Sequence, residues 1–218
     1  RDVFRSEELW AYAAIVGASV LAIAADILHM YESFSQSLRY SFFQVASIIT
    51  TTGYATADFN LWPTFSKGIL VVLMFIGACA GSTGGGIKVS RILIMIKSVR
   101  KELYTIVHPR ARIKIKMDDR IVDEDTLRSV NIFIGCYLLI YAVSMLCISI
   151  DGSDFTSNFS AVAALINNIG PGLNEVGPAG NFGGYSAFSK YVMMFDMLVG
   201  RLEIFPMFLL FARSAHDR

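Results

Sequence analysis

The run Thr50-Thr51-Thr52-Gly53-Tyr54 sets hydroxyl side chains beside a glycine where an apolar stretch gives way to a polar one. Extended backbone at such a point aims successive carbonyl oxygens at one place, and those oxygens can replace the water around a dehydrated alkali ion. Gly53 permits the backbone angles that this needs. A second run, Asn168-Ile169-Gly170-Pro171, lies 117 residues further on, with Gly170 in register with Gly53. Pro171 supplies no N–H to brace its loop, but its carbonyl remains free to face an ion. The candidate cation ligands are therefore Thr51, Thr52, Gly53 and Tyr54 in the first run and Asn168, Ile169, Gly170 and Pro171 in the second.

A third run, from Gly77 through Ala80 to Gly81-Ser82-Thr83-Gly84-Gly85-Gly86, interrupts an apolar stretch. Each glycine costs a helix about 1 kcal/mol relative to alanine, so the helix breaks here and resumes from about Ile87 to Ser98. As a phosphate loop the run fails: the pattern needs lysine directly after its last glycine and then Ser or Thr, whereas Ile87 precedes Lys88 and Val89 follows. With no strand before it either, an ATP-hydrolysing enzyme is not indicated. Arg201 stands inside the last apolar segment, where an ionised side chain costs at least roughly 2.5–3.5 kcal/mol, so it must be paired or functional. Glu203, two residues on, projects the opposite way around a helix. Asp26, Asp196 and Glu203 are the acids inside apolar segments, and they are the material for coupling transport to sodium or protons.

These residues need a membrane to position them. The chain is 54% hydrophobic and 17% charged, with a mean hydropathy of +0.52, far above that of an ordinary soluble domain. A net charge of +1 leaves no electrostatic footprint for nucleic acid. Cys79, Cys136 and Cys147 lie in apolar stretches without CxxC spacing, which reads as buried small side chains rather than zinc ligands or disulfides. Leu9 to Met30 and Ser129 to Ile150 are each 22 residues long, enough at about 1.5 Å per residue to cross a hydrocarbon core of about 30 Å. Ser33 to Thr50 and Asp154 to Asn168 are too short and polar to face lipid and read as re-entrant helices. Backbone that turns at membrane depth must be buried by protein or line a water-filled path. A helix ending there offers the partial negative charge of its carbonyl end to a cation. Pro63 opens the next helix, Lys101 to Arg128 forms a charged linker without a span, and Ser186 to Phe211 is the last apolar segment.

The order span, half-span, loop, span therefore occurs twice, and residue matches support a repeat. At an offset of 117, Phe42, Ala46, Ile49 and Gly53 meet Phe159, Ala163, Ile166 and Gly170; after a six-residue insertion, Phe65-Ser66-Lys67 meets Phe188-Ser189-Lys190, and Gly77 meets Gly200. Lys97, Arg100, Lys101, Arg110, Arg112, Lys114, Lys116, Arg120 and Arg128 cluster about the linker, which makes it cytoplasmic by the positive-inside rule. Arg1, Arg5, Arg213 and Arg218 fall on the same side, and the half-spans enter from outside with only Arg39, Lys67 and Lys190 near them.

Three motifs in order carry a specific resemblance: Ser47 to Tyr54, Gly81-Ser82-Thr83-Gly84-Gly85-Gly86-Ile87-Lys88, and Gly200-Arg201-Leu202-Glu203-Ile204-Phe205. Over essentially the whole chain the sequence resembles the third and fourth repeats of the Trk/Ktr/HKT superfamily of potassium transporters. The resemblance implies an all-α membrane protein, with two tandem helix–pore loop–helix (M1-P-M2) repeats of a potassium-channel-like pore. Residues 1–100 would be the third repeat with a broken second span, 101–128 a cytoplasmic linker, and 129–218 the fourth repeat. The implied activity is potassium uptake across the cell membrane, with a K+ ion held in the pore. Gly53 and Gly170 would each be the key filter glycine of a repeat. Tyr54-Ala55 lacks the second glycine of stricter filters, so sodium exclusion is less secure. The same resemblance makes Gly77, Gly81, Ser82, Thr83, Gly84, Gly85 and Gly86 an intramembrane gate, with Arg201 facing the cavity beside it as a positive barrier. The implied partners are the N-terminal half of the transporter, a second copy in a homodimer, and a cytosolic nucleotide-binding regulatory ring near the linker. A sodium- or proton-coupled cation symporter of the same superfamily is the alternative.

Overall fold

Polar side chains share the interior of this chain with its apolar core. Ser37, Ser41, Gln44, Ser157, Asn158, Ser160 and Asn167 are buried, whereas Leu139 and Leu146 leave 66% and 73% of their surface exposed. Single exposed apolar residues are ordinary, but a continuous apolar exterior around buried hydroxyls and amides suits lipid outside and a polar path within. The computed structural model describes residues 6–109, 114–118 and 120–202. Its helices are α1 (Glu7–Asp26), α2 (Phe34–Ile49), α3 (Thr64–Phe75), α4 (Val89–Val107), α5 (Glu124–Ile148), α6 (Phe155–Ile166) and α7 (Ala187–Leu202). By length and composition α1 and α5 can cross a membrane, whereas α3 and α6 are shorter apolar helices.

Helix starts follow local chemistry. The Ser33 side chain accepts from Gln36 N and opens α2, and the Asp154 carboxylate accepts from Thr156 N and Ser157 N to open α6; both satisfy amides that a first turn leaves bare. Pro63 stands just ahead of α3, where its fixed φ suits a helix start.

The helices α1, α2 and α3 pack together, as do α5, α6 and α7, and the two groups meet where α3 packs on α6 and α4 on α5. An aromatic cluster fills that seam: Phe75 lies 5.5 Å from Tyr141 and 6.1 Å from Phe159 between ring centroids. The Tyr141 hydroxyl donates to Phe159 O at 2.8 Å, so its polar end is satisfied there.

Three expectations are corrected. First, α4 runs past Ser98 to Val107 and α5 begins at Glu124, so both ends of the linker are helical. Leu103, Ile106 and Val107 continue an apolar pattern among good helix formers until Pro109 intervenes, and Glu124 and Asp125 suit the first turn of α5. Second, part of the linker is ordered: β1 (Lys116–Met117) and β2 (Arg120–Ile121) pair antiparallel, and Asp118 at their turn accepts from Glu7 N at 2.6 Å, capping α1. Third, Cys79, Cys136 and Cys147 are only partly buried: Cys136 and Cys147 stand at α5 positions turned partly outward, and Cys79 lies in the irregular segment between α3 and α4. Arg1, Arg5, Arg110, Arg112, Glu203, Arg213 and Arg218, and residues 204–211 of the last apolar segment, lie outside the described residues.

Candidate functional site

The helices α2 and α6 end in the same way, bond for bond. After α2, Thr51 N donates to Ile48 O at 3.0 Å and Thr52 N to Ser47 O at 2.8 Å. After α6, Asn168 N donates to Leu165 O at 3.0 Å and Ile169 N to Ala164 O at 2.8 Å. Thr51 and Asn168 each have φ of 56°. A left-handed residue flanked by these two bonds is the Schellman helix end, and the offset of 117 residues relates every one of its atoms. Gly53 and Gly170 follow with φ of 78° and 108°. Among the described residues, no donor reaches the carbonyl oxygens of Thr50 to Gly53 or of Asn167 to Gly170. Bare peptide oxygens at two helix ends are what a cation can use.

The two loops are in contact. A Cβ on Gly53 would lie 1.9 Å from Ile169 O and 3.2 Å from the Pro171 ring, so only glycine lets the strands approach this closely. Gly170 has open space around it. Tyr54 differs from its neighbours, for its carbonyl accepts from Ser47 Oγ at 2.6 Å and its side chain is 75% exposed. It anchors the outer end of the run. Gln44 Nε2 braces the same stretch through Ala57 O at 3.0 Å, while Ser160 Oγ accepts from Leu173 N at 2.8 Å behind the second loop.

The glycine-rich segment lies against these helix ends. It leaves α3 and re-enters α4 through a short parallel bridge between Ile76 and Ile87, with Gly77 N on Ile87 O at 2.8 Å. The break is thus a closed excursion rather than a bend in one helix. A Cβ on Gly85 would come within 2.3 Å of Asn167 O, one on Gly86 within 2.9 Å of Asn167 Oδ1, and one on Gly84 within 3.2 Å of Thr51 Oγ1. Two cations hold its backbone: Arg201 Nη1 donates to Thr83 O, and Lys88 Nζ donates to Ser82 O and Gly84 O. Lys88 is only 8% exposed. A cavity of about 200 Å³ borders the segment, lined among others by Lys88, Arg91, Tyr137 and Arg201.

The acids separate. Asp26 Oδ2 accepts from Ser66 N and Ser66 Oγ at 3.2 and 2.6 Å, fastening the start of α3 to the end of α1. Asp151 repeats this in the second half, bonded by the Ser189 hydroxyl and accepting from the Ser186 amide at 2.8 Å. The repeated Phe-Ser-Lys tripeptide thus has a physical role. Its lysine in each case grips a loop carbonyl seven residues back, Lys67 on Asn60 O and Lys190 on Gly183 O. Asp196 is fully buried against Ser144 Oγ at 2.6 Å, with its second oxygen unpartnered among the described residues.

The family model described as TrkH, a cation transport protein, matches residues 11–217. The chain belongs to the TrkH family. It is 43% identical over 183 residues to the Trk system potassium uptake protein TrkH of Salmonella typhimurium, covering 84% of this chain and 38% of that protein. To the potassium uptake protein TrkG of Escherichia coli it is 35% identical, covering 97% of this chain and 44% of the relative. The crystal structure of the potassium transporter TrkH from Vibrio parahaemolyticus superposes with a TM-score of 0.87 at 38% identity, over 98% of this chain and 46% of that one. The chain therefore spans less than half the length of the relatives it matches.

Within this TrkH-family chain, sequence reasoning missed Asn167, Lys88, Gln44 and Ser47. A lone lysine just beyond a glycine run, with Ile87 before it and Val89 after it, was the available signal for Lys88. Asn167 offered none, because its contacts, Tyr137 Oη at 3.0 Å and the glycine backbone, come from distant parts of the chain.

Proposed function

We propose that this chain supplies the third and fourth span–pore loop–span repeats of a multi-pass potassium uptake protein of the cell membrane. In this reading α2 and α6 are the re-entrant pore helices. Thr51 to Gly53 and Asn168 to Pro171 offer peptide oxygens to K+, and Tyr54 fixes the outer edge of the filter. The excursion from Gly77 to Gly86 obstructs the path below, and Lys88 and Arg201 both hold it in place and repel cations. The observation that carries the proposal is the pair of identical helix ends meeting at Gly53 and Ile169, with unclaimed carbonyls on both. Potassium as the cargo follows from the names of the relatives. Residues 1–100 and 129–218 form the two repeats, and 101–128 is the cytoplasmic linker. The other half of the filter ring comes from an N-terminal half, the working unit is a homodimer, and a cytosolic nucleotide-binding ring acts near the linker.

The test is ion selectivity in the full-length protein reconstituted in liposomes. Gly53→Ser should lower the potassium-to-sodium permeability ratio by roughly tenfold, the factor that about 1.4 kcal/mol of lost discrimination represents. An unchanged ratio in protein of normal thermal stability removes Gly53 from the filter.

A second reading, symport coupled to sodium or protons, draws on Asp196, whose buried second oxygen is unpartnered among the described residues. Asp26 lends it little, since Ser66 occupies that carboxylate. Potassium flux that persists without a sodium or proton gradient rejects coupling; obligatory dependence abolished by Asp196→Asn supports it.

A further inference from the structure

A loop rich in glycine has few side chains by which a fold can hold it, so it must be held by its peptide groups. Lys88 and Arg201 take three of its carbonyls. One of its amides, that of Ala80, has a partner on another helix. Glu8, in the first turn of α1, accepts from Ala80 N at 2.6 Å and from Ser90 N at 3.1 Å, both on Oε1. Ala80 lies on the limb that enters the excursion and Ser90 in the first turn of α4, just past its exit. Lys88, at the cap of α4, offers no side-chain bond to that helix start, so the Glu8 carboxylate caps α4 from another helix, where a negative charge is favoured.

We infer that Glu8 is a positioning residue that latches the glycine-rich excursion in its obstructing arrangement. The inference rests on reading that excursion as a gate. A charge-assisted bond to two amides closes the loop across its base, and the bond cannot survive a movement of Ala80 away from α4. The latch is itself tied to the linker. Asp118 caps α1 through Glu7 N and accepts from Ser6 Oγ at 3.3 Å, while Lys97 pairs with the Glu7 carboxylate and donates to Lys116 O at 2.7 Å. The hairpin of the linker therefore grips the residue next to Glu8, and displacing it would carry the latch along.

Rubidium influx into liposomes containing the full-length protein, without any regulatory subunit, tests this. Glu8→Ala should raise basal influx roughly five- to thirtyfold, the factor that a shift of about 1–2 kcal/mol in the gate equilibrium represents. Glu8→Gln keeps an acceptor oxygen and should give a smaller rise, a graded rescue that general destabilisation would not produce. Deleting Ala80 to Gly85 should raise influx as well, and adding Glu8→Ala to the deletion should then change nothing, because the latch has lost its loop. The permeability ratio should stay at the parent value in both Glu8 single variants. If the deletion raises influx while both Glu8 variants, folded and stable, stay at the parent rate, the latch is wrong and the gate stands. If the deletion itself leaves influx unchanged, the gate is wrong and the latch falls with it.

Discussion

At the scale of single residues, the informative feature is Thr51, a β-branched residue at φ of 56°. The left-handed region costs such a residue about 1–2 kcal/mol, and the Schellman bonds around it hold it there. The matching position after α6 is Asn168 at the same φ, and asparagine tolerates this region. Thr51→Asn should therefore raise the thermal unfolding midpoint in detergent, by the equivalent of about 1 kcal/mol. A midpoint that stays or falls would mean that the Thr51 hydroxyl or methyl stabilises the loop more than its backbone is strained. Strain of this kind at a proposed filter is consistent with a conformation kept for function. Lys88 teaches the complementary lesson. A buried cation in an apolar segment is tolerated because two peptide oxygens of the loop solvate it.

At the scale of elements, α2 and α6 depend on their first turns. Asp154 opens α6, and the Ser157 hydroxyl holds its carboxyl below the usual carboxylate range, with the amides of Ser157 and Thr156 acting in the same direction. A carboxyl lowered in the folded state contributes stability above its unfolded pKa of about 3.9 and loses it as pH falls through the folded value. Asp154→Ala should cost about 0.5–1 kcal/mol near neutral pH, toward the low end for a cap because the residue is exposed. The difference between parent and variant, followed by thermal unfolding against pH, should shrink below about pH 4. A gap that stays constant into the acid range would assign the loss to something other than the carboxylate. The existence of α2 and α6 is legible in the sequence, because Ser33 to Thr50 and Asp154 to Asn168 are helical in length yet too short and polar to face lipid; that Ser33 and Asp154 cap them is seen only in the structure. The extension of α4 to Val107 is not legible, because a charged run shows no apolar span, although lysine, arginine and glutamate are good helix formers.

At the scale of the whole molecule, the two halves are joined by a few definite contacts. Asn60 Nδ2 donates to Asn174 O at 3.0 Å, and Asn174 N donates to Asn60 Oδ1 at 2.9 Å, so one amide side chain clamps together the loops that follow α2 and α6. A Cβ on Gly177 would stand 1.9 Å from Asn60 Nδ2. Asn60→Ala should lower stability by about 1–3 kcal/mol, the sum of two such bonds. Gly177→Ala should cost less in the Asn60→Ala background than in the parent, because the clash is then absent. Additive losses in the double variant would show that Gly177 is constrained by something other than Asn60.

The sequence by itself determined the membrane class, the order of the seven helices among the described residues though not the bounds of α4, the offset between Gly53 and Gly170, and the runs that hold the candidate site. It did so because bilayer thickness, helix-breaking glycine and repetition leave local marks on a chain. Only the tertiary structure decided which partners those runs meet. That Asn167 lies against Gly85, that Glu8 holds Ala80, and that Asp26 fastens a helix start rather than facing an ion are contacts between residues far apart in sequence. No local pattern encodes such contacts, because they arise from how α1, α4, α5 and α6 converge, and convergence is a property of packing rather than of any one segment.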